Sequence, residues 1–327
     1  MKRREFITLL GSTTAWSFAS RAQSSTPPVV VFISGRAAET STALNAEFRK
    51  GLRQVGLAEG KDVVVEYHWL DGHYEQLSTI INDAVKRSVA VIATPGNSPG
   101  ALAAKAATEM IPIVFGVGDD PVALGLVKSL AQPRTNATGI NFFANEINTK
   151  RLGLMHELLP KAVRFAVLVN PGNPSTTEAT STTVKQAAAS LGLELLFFNA
   201  STPVEIGAAF AAIAKEQADA LFVGADGFFV SCSKQFAALA ARDRLPASAF
   251  ASENAAAGLL MSYGTNLADM FRQVGVYCGS ILRGAKPSEL PVLQSTKFEF
   301  VINLQAARLL GVDIPPSLLA RADEVIE

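Results

Sequence analysis

Short apolar runs alternate along most of the chain with stretches whose apolar positions recur every three or four residues, the pattern of strands joined by amphipathic helices. From Val29 an apolar run to Ile33 predicts a strand, followed by a polar loop, a helix over Ala43–Val55 and a strand over Val63–Tyr67. Leu77, Ile80, Ile81, Ala84 and Val85 fall at helical spacing, so a second helix is expected from about Glu75 to Lys86, and then a strand at Val89–Ala93. Pro95-Gly96-Asn97-Ser98, an alanine-rich helix to Met110 and a strand at Ile113–Phe115 complete the first half.

The grammar then recurs. A strand at Phe165–Val169, a helix at Thr182–Leu191 stopped by Gly192, a strand at Glu194–Phe198, a helix at Val204–Glu216 and a strand at Ala220–Val223 repeat the earlier order. Gly224-Ala225-Asp226-Gly227, a further helix to Arg244 and Pro246 before the next strand continue the match. Val31 corresponds to Val167, Val91 to Phe222 and Pro112 to Pro246, which implies two similar lobes. Strands alternating with helices require crossover connections, so each lobe is expected to be a doubly wound α/β domain with a parallel sheet. The helical face Leu267, Phe271, Val274, Cys278, Ile281 and Leu282 begins after the second lobe is complete and is expected to return to the first. Residues from Phe298 onward would rejoin the second, and several crossings make a hinge. The expected division is a first lobe of residues 23–142 plus 264–296 and a second of 143–263 plus 297–327.

Composition narrows the class. Of 327 residues 49% are hydrophobic and 18% charged, enough for a large core, and basic and acidic groups balance at 29 each, which removes the basic face that nucleic acid needs. Beyond the N-terminus no apolar run approaches the roughly 18 residues that span a bilayer, so the body is expected not to be membrane-embedded. Lys2-Arg3-Arg4 before a weakly apolar segment reads as a twin-arginine export signal, with cleavage after Ala22 at Ser20-Arg21-Ala22, and this predicts a free periplasmic protein. Cys232 and Cys278 are the two cysteines; isolated buried thiols or one disulfide are both compatible with that compartment.

Ligands of doubly wound sheets bind beyond the carboxyl ends of the strands, which directs attention to the loops after them. Gly96, Asn97 and Ser98 can present backbone N–H groups and polar side chains to a carboxylate, or Asn97 or Ser98 can simply cap the next helix. Asn170, Asn173 and Ser175 hold the matching place in the second lobe, as contacts or as a plain turn. Asp226 is the acid expected to pair with a ligand ammonium, its alternative being an Asx-turn. Phe142 and Phe228 can form aromatic walls or core, and Ser34, Arg36, Asp119 and Tyr263 are rim candidates. An apolar or aromatic zwitterion satisfies the set.

Gly96-Asn97-Ser98-Pro99-Gly100 also matches Gly-x-Ser-x-Gly, the motif of an exported serine hydrolase using Ser98. Only His156 lies downstream as a base, inside a helical stretch, and Pro99 disturbs the elbow, so no enzyme is expected. Metal-ligand spacings and a dinucleotide fingerprint are missing, which predicts no metal and no cofactor.

Several segments carry a resemblance. The leader Arg3-Arg4-Glu5-Phe6-Ile7-Thr8, Tyr67-His68-Trp69, Asp120-Pro121-Val122, Val169-Asn170-Pro171-Gly172-Asn173-Pro174, Met261-Ser262-Tyr263-Gly264, Gly284-Ala285-Lys286-Pro287-Ser288-Glu289-Leu290-Pro291-Val292 and the tail from Ile314 to Val325 are similar to one bacterial family. The chain resembles the periplasmic substrate-binding proteins of ABC transporters, in the subgroup with tryptophan- and tyrosine-binding members. The resemblance implies a type I periplasmic-binding fold with three inter-lobe crossings, a small-molecule ligand, and as partners an ABC permease with its ATPase subunit, served by a monomer. A ligand sensor feeding a receptor is the alternative within the same fold.

Overall fold

Strands rich in Val, Ile and Phe, separated by helices with one apolar face, build two sheets in a computed structural model that describes residues 26–327. The twin-arginine leader and its cleavage point lie outside the described residues. The first half runs β1 (Val29–Ser34), α1 (Thr42–Gln54), β2 (Val64–Trp69), α2 (Leu77–Lys86), β3 (Val91–Pro95), α3 (Ser98–Ala107), β4 (Ile113–Val117) and β5 (Ala137–Asn141). The second runs α4 (Ala144–Leu158), β6 (Arg164–Val169), α5 (Pro174–Leu191), β7 (Glu194–Asn199), α6 (Pro203–Lys215), β8 (Ala220–Val223), α7 (Gly227–Ser231), α8 (Ser233–Arg242), β9 (Ala247–Ala249), α9 (Ser252–Ala257) and β10 (Met261–Thr265). The remainder is α10 (Leu267–Leu282), β11 (Leu293–Gln294), β12 (Phe298–Asn303), α11 (Leu304–Leu310), α12 (Pro316–Leu319) and β13 (Glu324–Ile326).

The sheet orders are β11-β5-β4-β3-β1-β2 and β13-β12-β10-β9-β8-β6-β7. Both contain the doubly wound order in which the first strand lies between the second and third, so the repeat in the sequence is a repeat in topology. It places a switch point between β1 and β3 in one lobe and between β6 and β8 in the other, where loops diverge to opposite faces and leave a crevice. One departure from the parallel expectation is β12, which pairs antiparallel with β10 from Met261↔Ile302 to Thr265↔Phe298. The chain arrives there directly from the first lobe without a crossover helix, and so enters the second sheet from the opposite end.

Each sheet is covered on both faces. Phe48 and Leu52 of α1 with Phe271, Val274 and Cys278 of α10 cover Val30, Phe32 and Val91, while α2 and α3 cover Val31, Ile33 and Ile92. In the second lobe Leu152 and Met155 of α4 and Val184 of α5 lie on Phe165 and Phe222, and α6 and α8 cover the opposite face through Phe210 and Phe236. Helices α1 and α10 cross so closely that a Cβ on Gly51 would stand 2.0 Å from the Arg272 carbonyl oxygen, and one on Gly275 would stand 2.1 Å from that of Phe48. The glycines are what allow α10 to seal the first lobe.

Three strands of chain pass between the sheets, after β5, after β10 and after β11. They are tied to one another: Thr265 Oγ1 donates to the Phe142 carbonyl at 2.6 Å, Asn266 N to Lys297 O at 3.0 Å and Ser295 N to Asn141 O at 2.9 Å. Lys297 Nζ reaches Asp269 at 2.8 Å, so an ion pair joins the second and third passages. Cys232 and Cys278 are both free thiols; burial pushes Cys232 up to about 12 and Cys278 higher still, which makes both unreactive.

Candidate functional site

The four switch-point loops converge on one cleft. From the first lobe come Arg36 after β1 and Gly96 and Ser98 after β3; from the second come Asn173 after β6 and Asp226 after β8. Phe142, Phe250, Met270 and Phe271 supply apolar walls, with Phe142 and Phe250 rings 5.6 Å apart and tilted by 45°. The space between atoms, open mouth included, amounts to about 520 Å³.

Asp226 is the electrostatic centre. Its Oδ1 accepts from Asn170 Nδ2 at 2.9 Å and from Phe228 N at 3.0 Å, and its Oδ2 accepts from Tyr74 Oη at 3.0 Å and Asn173 Nδ2 at 3.2 Å. Burial pushes its pKa up, while these four donors pull against that shift. All four acceptor positions of the carboxylate are therefore filled by neutral groups, and no cation among the described residues touches it. A ligand ammonium pairing directly with Asp226 would have to displace one of these donors. Tyr74 is the one donor from the first lobe, and burial, followed by the charge and hydrogen bond of Asp226, holds its phenol well above its ordinary value.

The lobes meet through further polar contacts. Asp119 accepts from Ser98 Oγ at 2.8 Å within its own lobe and from Thr176 Oγ1 at 2.9 Å across the cleft. Arg36, 4% exposed, gives its Nη2 to Glu253 Oε1 and to the Thr40 carbonyl, each at 3.1 Å. Ser231 Oγ accepts from Ala37 N at 2.8 Å. Burial lowers the pKa of Arg36, and the Glu253 charge works in the opposite sense. The arrangement is closed, with the two lobes directly hydrogen-bonded.

Of the residues singled out in the sequence, Arg36, Gly96, Ser98, Phe142, Asn173 and Asp226 line the cleft. The others stand elsewhere for identifiable reasons. Asn97 caps α3, its side chain accepting from Gly100 N at 2.9 Å, and Ser34 Oγ turns back to Arg36 N at 3.4 Å. Asp119 is a strut rather than a lining group, and Asn170 uses both ends of its amide, on Asp226 and on Gly172 N. Ser175 is on the first turn of α5, outside the lining set. Phe228 is wedged against Gly72 of the first lobe, where a Cβ would meet its ring at 2.9 Å. Tyr263 is half-buried and packs edge-on against Phe300 of β12, with ring centroids 6.1 Å apart. Ser98 has an aspartate partner, and the residues lining the cleft include no histidine, so the hydrolase geometry is not formed among the described residues. Tyr74, Glu253, Thr176 and Phe250 were not indicated by the sequence reading; each acts across the lobes or from a loop with no motif.

The chain is 26% identical over 265 residues to the tyrosine-binding protein of Clostridioides difficile strain R20291, an alignment covering 81% of this chain and 75% of that one. It superposes with a TM-score of 0.83 at 22% identity on an ABC domain from Streptococcus pneumonia in complex with L-Trp, covering 92% of this chain and all of the other. On a ligand-free, open substrate-binding protein from Clostridium difficile, also at 22% identity, the TM-score is 0.62 over 92% of this chain and 99% of that one. The family model of ABC transporter substrate-binding proteins matches residues 28–326, and the chain belongs to that family.

Proposed function

We propose that the protein is exported by its twin-arginine leader, is cleaved after Ala22, and works in the periplasm as a monomer that captures a small carboxylate-bearing molecule with an aromatic or branched apolar portion. Amino acids of that kind and the corresponding acids form the candidate class, and the tyrosine- and L-Trp-binding relatives favour it. The moving bodies are residues 23–142 with 264–296 and residues 143–263 with 297–327. Closure brings polar groups from both switch points onto one ligand, and the closed pair of lobes is the surface offered to the permease and its ATPase subunit. No bond of the ligand is made or broken.

The observation that carries this reading is the cleft itself: Arg36, Asn173 and Asp226 from both lobes beside Phe142, Phe250 and Phe271. The test is a melting-temperature screen of the mature protein, unfolded and refolded to shed carried-over solute, against amino acids and small organic acids. A ligand that binds only the native state must raise the midpoint. A rise with aromatic or branched solutes supports the proposal; a rise confined to sugars or polyamines refutes it.

A further inference from the structure

Two buried polar atoms in the cleft have no partner among the described residues: Oδ1 of Asn173 and Nε of Arg36. Buried groups of this kind are rare in folded proteins and ask for a partner. Their chemistry is opposite. One is a neutral acceptor held against a buried carboxylate, and the other is a donor on a cation.

Asn173 stands at the N-cap of α5, where an asparagine ordinarily accepts from the helix's free N–H groups, yet its side chain makes no capping hydrogen bond. Asn97, at the N-cap of α3 in the first lobe, does make one. Asn173 instead gives its amide nitrogen to Asp226 at 3.2 Å, which fixes the amide so that its oxygen lies on the side away from the carboxylate. Donation to an anion polarises the amide and strengthens that oxygen as an acceptor. The negative charge of Asp226 is thereby relayed into the cleft through the Asn173 amide, while the carboxylate's own acceptor positions are taken by its four donors. On the other lobe, Arg36 has spent Nη2 on Glu253 and Thr40, while Nε remains unmatched in a site it lines.

We infer that the cleft reads both charges of a free amino acid: the ammonium is received by Oδ1 of Asn173, with Asp226 behind it, and the carboxylate by Nε of Arg36. The inference rests on the cleft being the capture site, and it moves the ammonium contact from the aspartate to the asparagine. A desamino acid leaves the Asn173 oxygen dry and unpaired, and an amine without a carboxylate leaves the Arg36 donor so. Either omission costs roughly 5- to 150-fold in affinity, the range for one buried group left unsatisfied.

The experiment is calorimetric titration of refolded, ligand-free mature protein with two matched sets: L-phenylalanine, 3-phenylpropionate and phenethylamine; L-leucine, 4-methylpentanoate and 3-methylbutylamine. The expected result is that within the set that binds, the amino acid is at least about fivefold tighter than its acid and its amine. Asn173→Ala is expected to weaken the amino acid by a similar factor and to leave the acid within about threefold, a pattern that general damage to α5 would not produce. An acid or amine binding as tightly as its amino acid overturns the inference while leaving capture by the cleft standing, and equal weakening of amino acid and acid by Asn173→Ala overturns the assignment to Asn173. Failure of all six to bind overturns the inference as well. Capture itself falls only if no solute of the wider melting screen is bound.

Discussion

Replacing Tyr74 with phenylalanine removes one hydroxyl and leaves the ring packed over Gly35, so no cavity is created. Of the four donors on Asp226, three belong to the second lobe and stay with it when the lobes part; only the Tyr74 bond, 3.0 Å long, exists because the lobes are together. A hydrogen bond to a charged group contributes about 1.5–3 kcal/mol net. In a protein that is mostly open without ligand, this whole amount falls on the closed, ligand-bound state, and Kd rises about 10- to 150-fold. The ligand-free melting midpoint should barely move, since neither lobe loses an internal contact. Calorimetric titration of wild type and Tyr74→Phe with the tightest solute from the melting screen measures the ratio directly. A Kd within twofold of wild type would refute the argument that Tyr74 is a closed-state strut.

Gly275→Ala forces a Cβ to 2.1 Å from the Phe48 carbonyl, so α1 and α10 must separate; overpacking of this kind costs about 1–3 kcal/mol, which lowers Tm by roughly 2–12 °C. Gly153→Ala on α4, with nothing within 4 Å of the added carbon, should leave Tm unchanged or raise it, and thermal melts of the pair separate packing from helix propensity. Asp269 feels burial, which pushes it up, but hydrogen bonds from Lys297 and Arg272 hold it below the usual carboxylate range. Its ion pair across the passages therefore stabilises at neutral pH and is lost as pH falls through that depressed value. The Tm deficit of Asp269→Asn should be largest near neutrality and shrink as the melts are taken to pH values below the ordinary carboxylate range. Arg151 is completely buried, gives Nη2 to the Val223 carbonyl at 2.7 Å and lies 3.8 Å over the Phe222 ring, yet its Nε and Nη1 have no partner among the described residues. Arg151→Met should leave Tm unchanged or raised, because an uncompensated buried charge is replaced by an apolar chain of similar length. A fall of more than 5 °C would show that the Val223 contact outweighs it.

The duplicated topology was legible because strands such as Val29–Ile33, Phe165–Val169 and Ala220–Val223 are apolar runs, and glycines and prolines such as Gly56, Pro112, Gly192 and Pro246 mark several boundaries, signals that survive without any knowledge of partners. Strand β5 escaped, since Ala137-Thr138-Gly139-Ile140-Asn141 is buried along its length yet built of small and polar residues. Gly139 is there because a Cβ would stand 2.0 Å from the Phe115 carbonyl oxygen, a fact of the neighbouring strand rather than of the segment. The antiparallel β12 escaped for a similar reason: direction of entry is set by the hinge, not by the residues of the strand. In the cleft, the strand-end rule located Arg36, Gly96, Ser98, Asn173 and Asp226 without coordinates. It missed Tyr74, which follows an edge strand outside the switch point and acquires its role only when the other lobe arrives. Phe271 was read as core on a helical face and is both core and cleft wall, a distinction that periodicity cannot draw. Asn97 and Asn173 look alike in sequence, each one residue after a glycine and before a helix, and only the presence of Asp226 separates a cap from a cleft group.

Small-angle scattering on the refolded mature protein, with and without a saturating amount of its tightest solute, tests the central claim that a ligand in this cleft holds the lobes together. The account predicts a smaller radius of gyration and a shorter maximum dimension in the saturated sample. Superimposable curves from the ligand-free and saturated protein would contradict it.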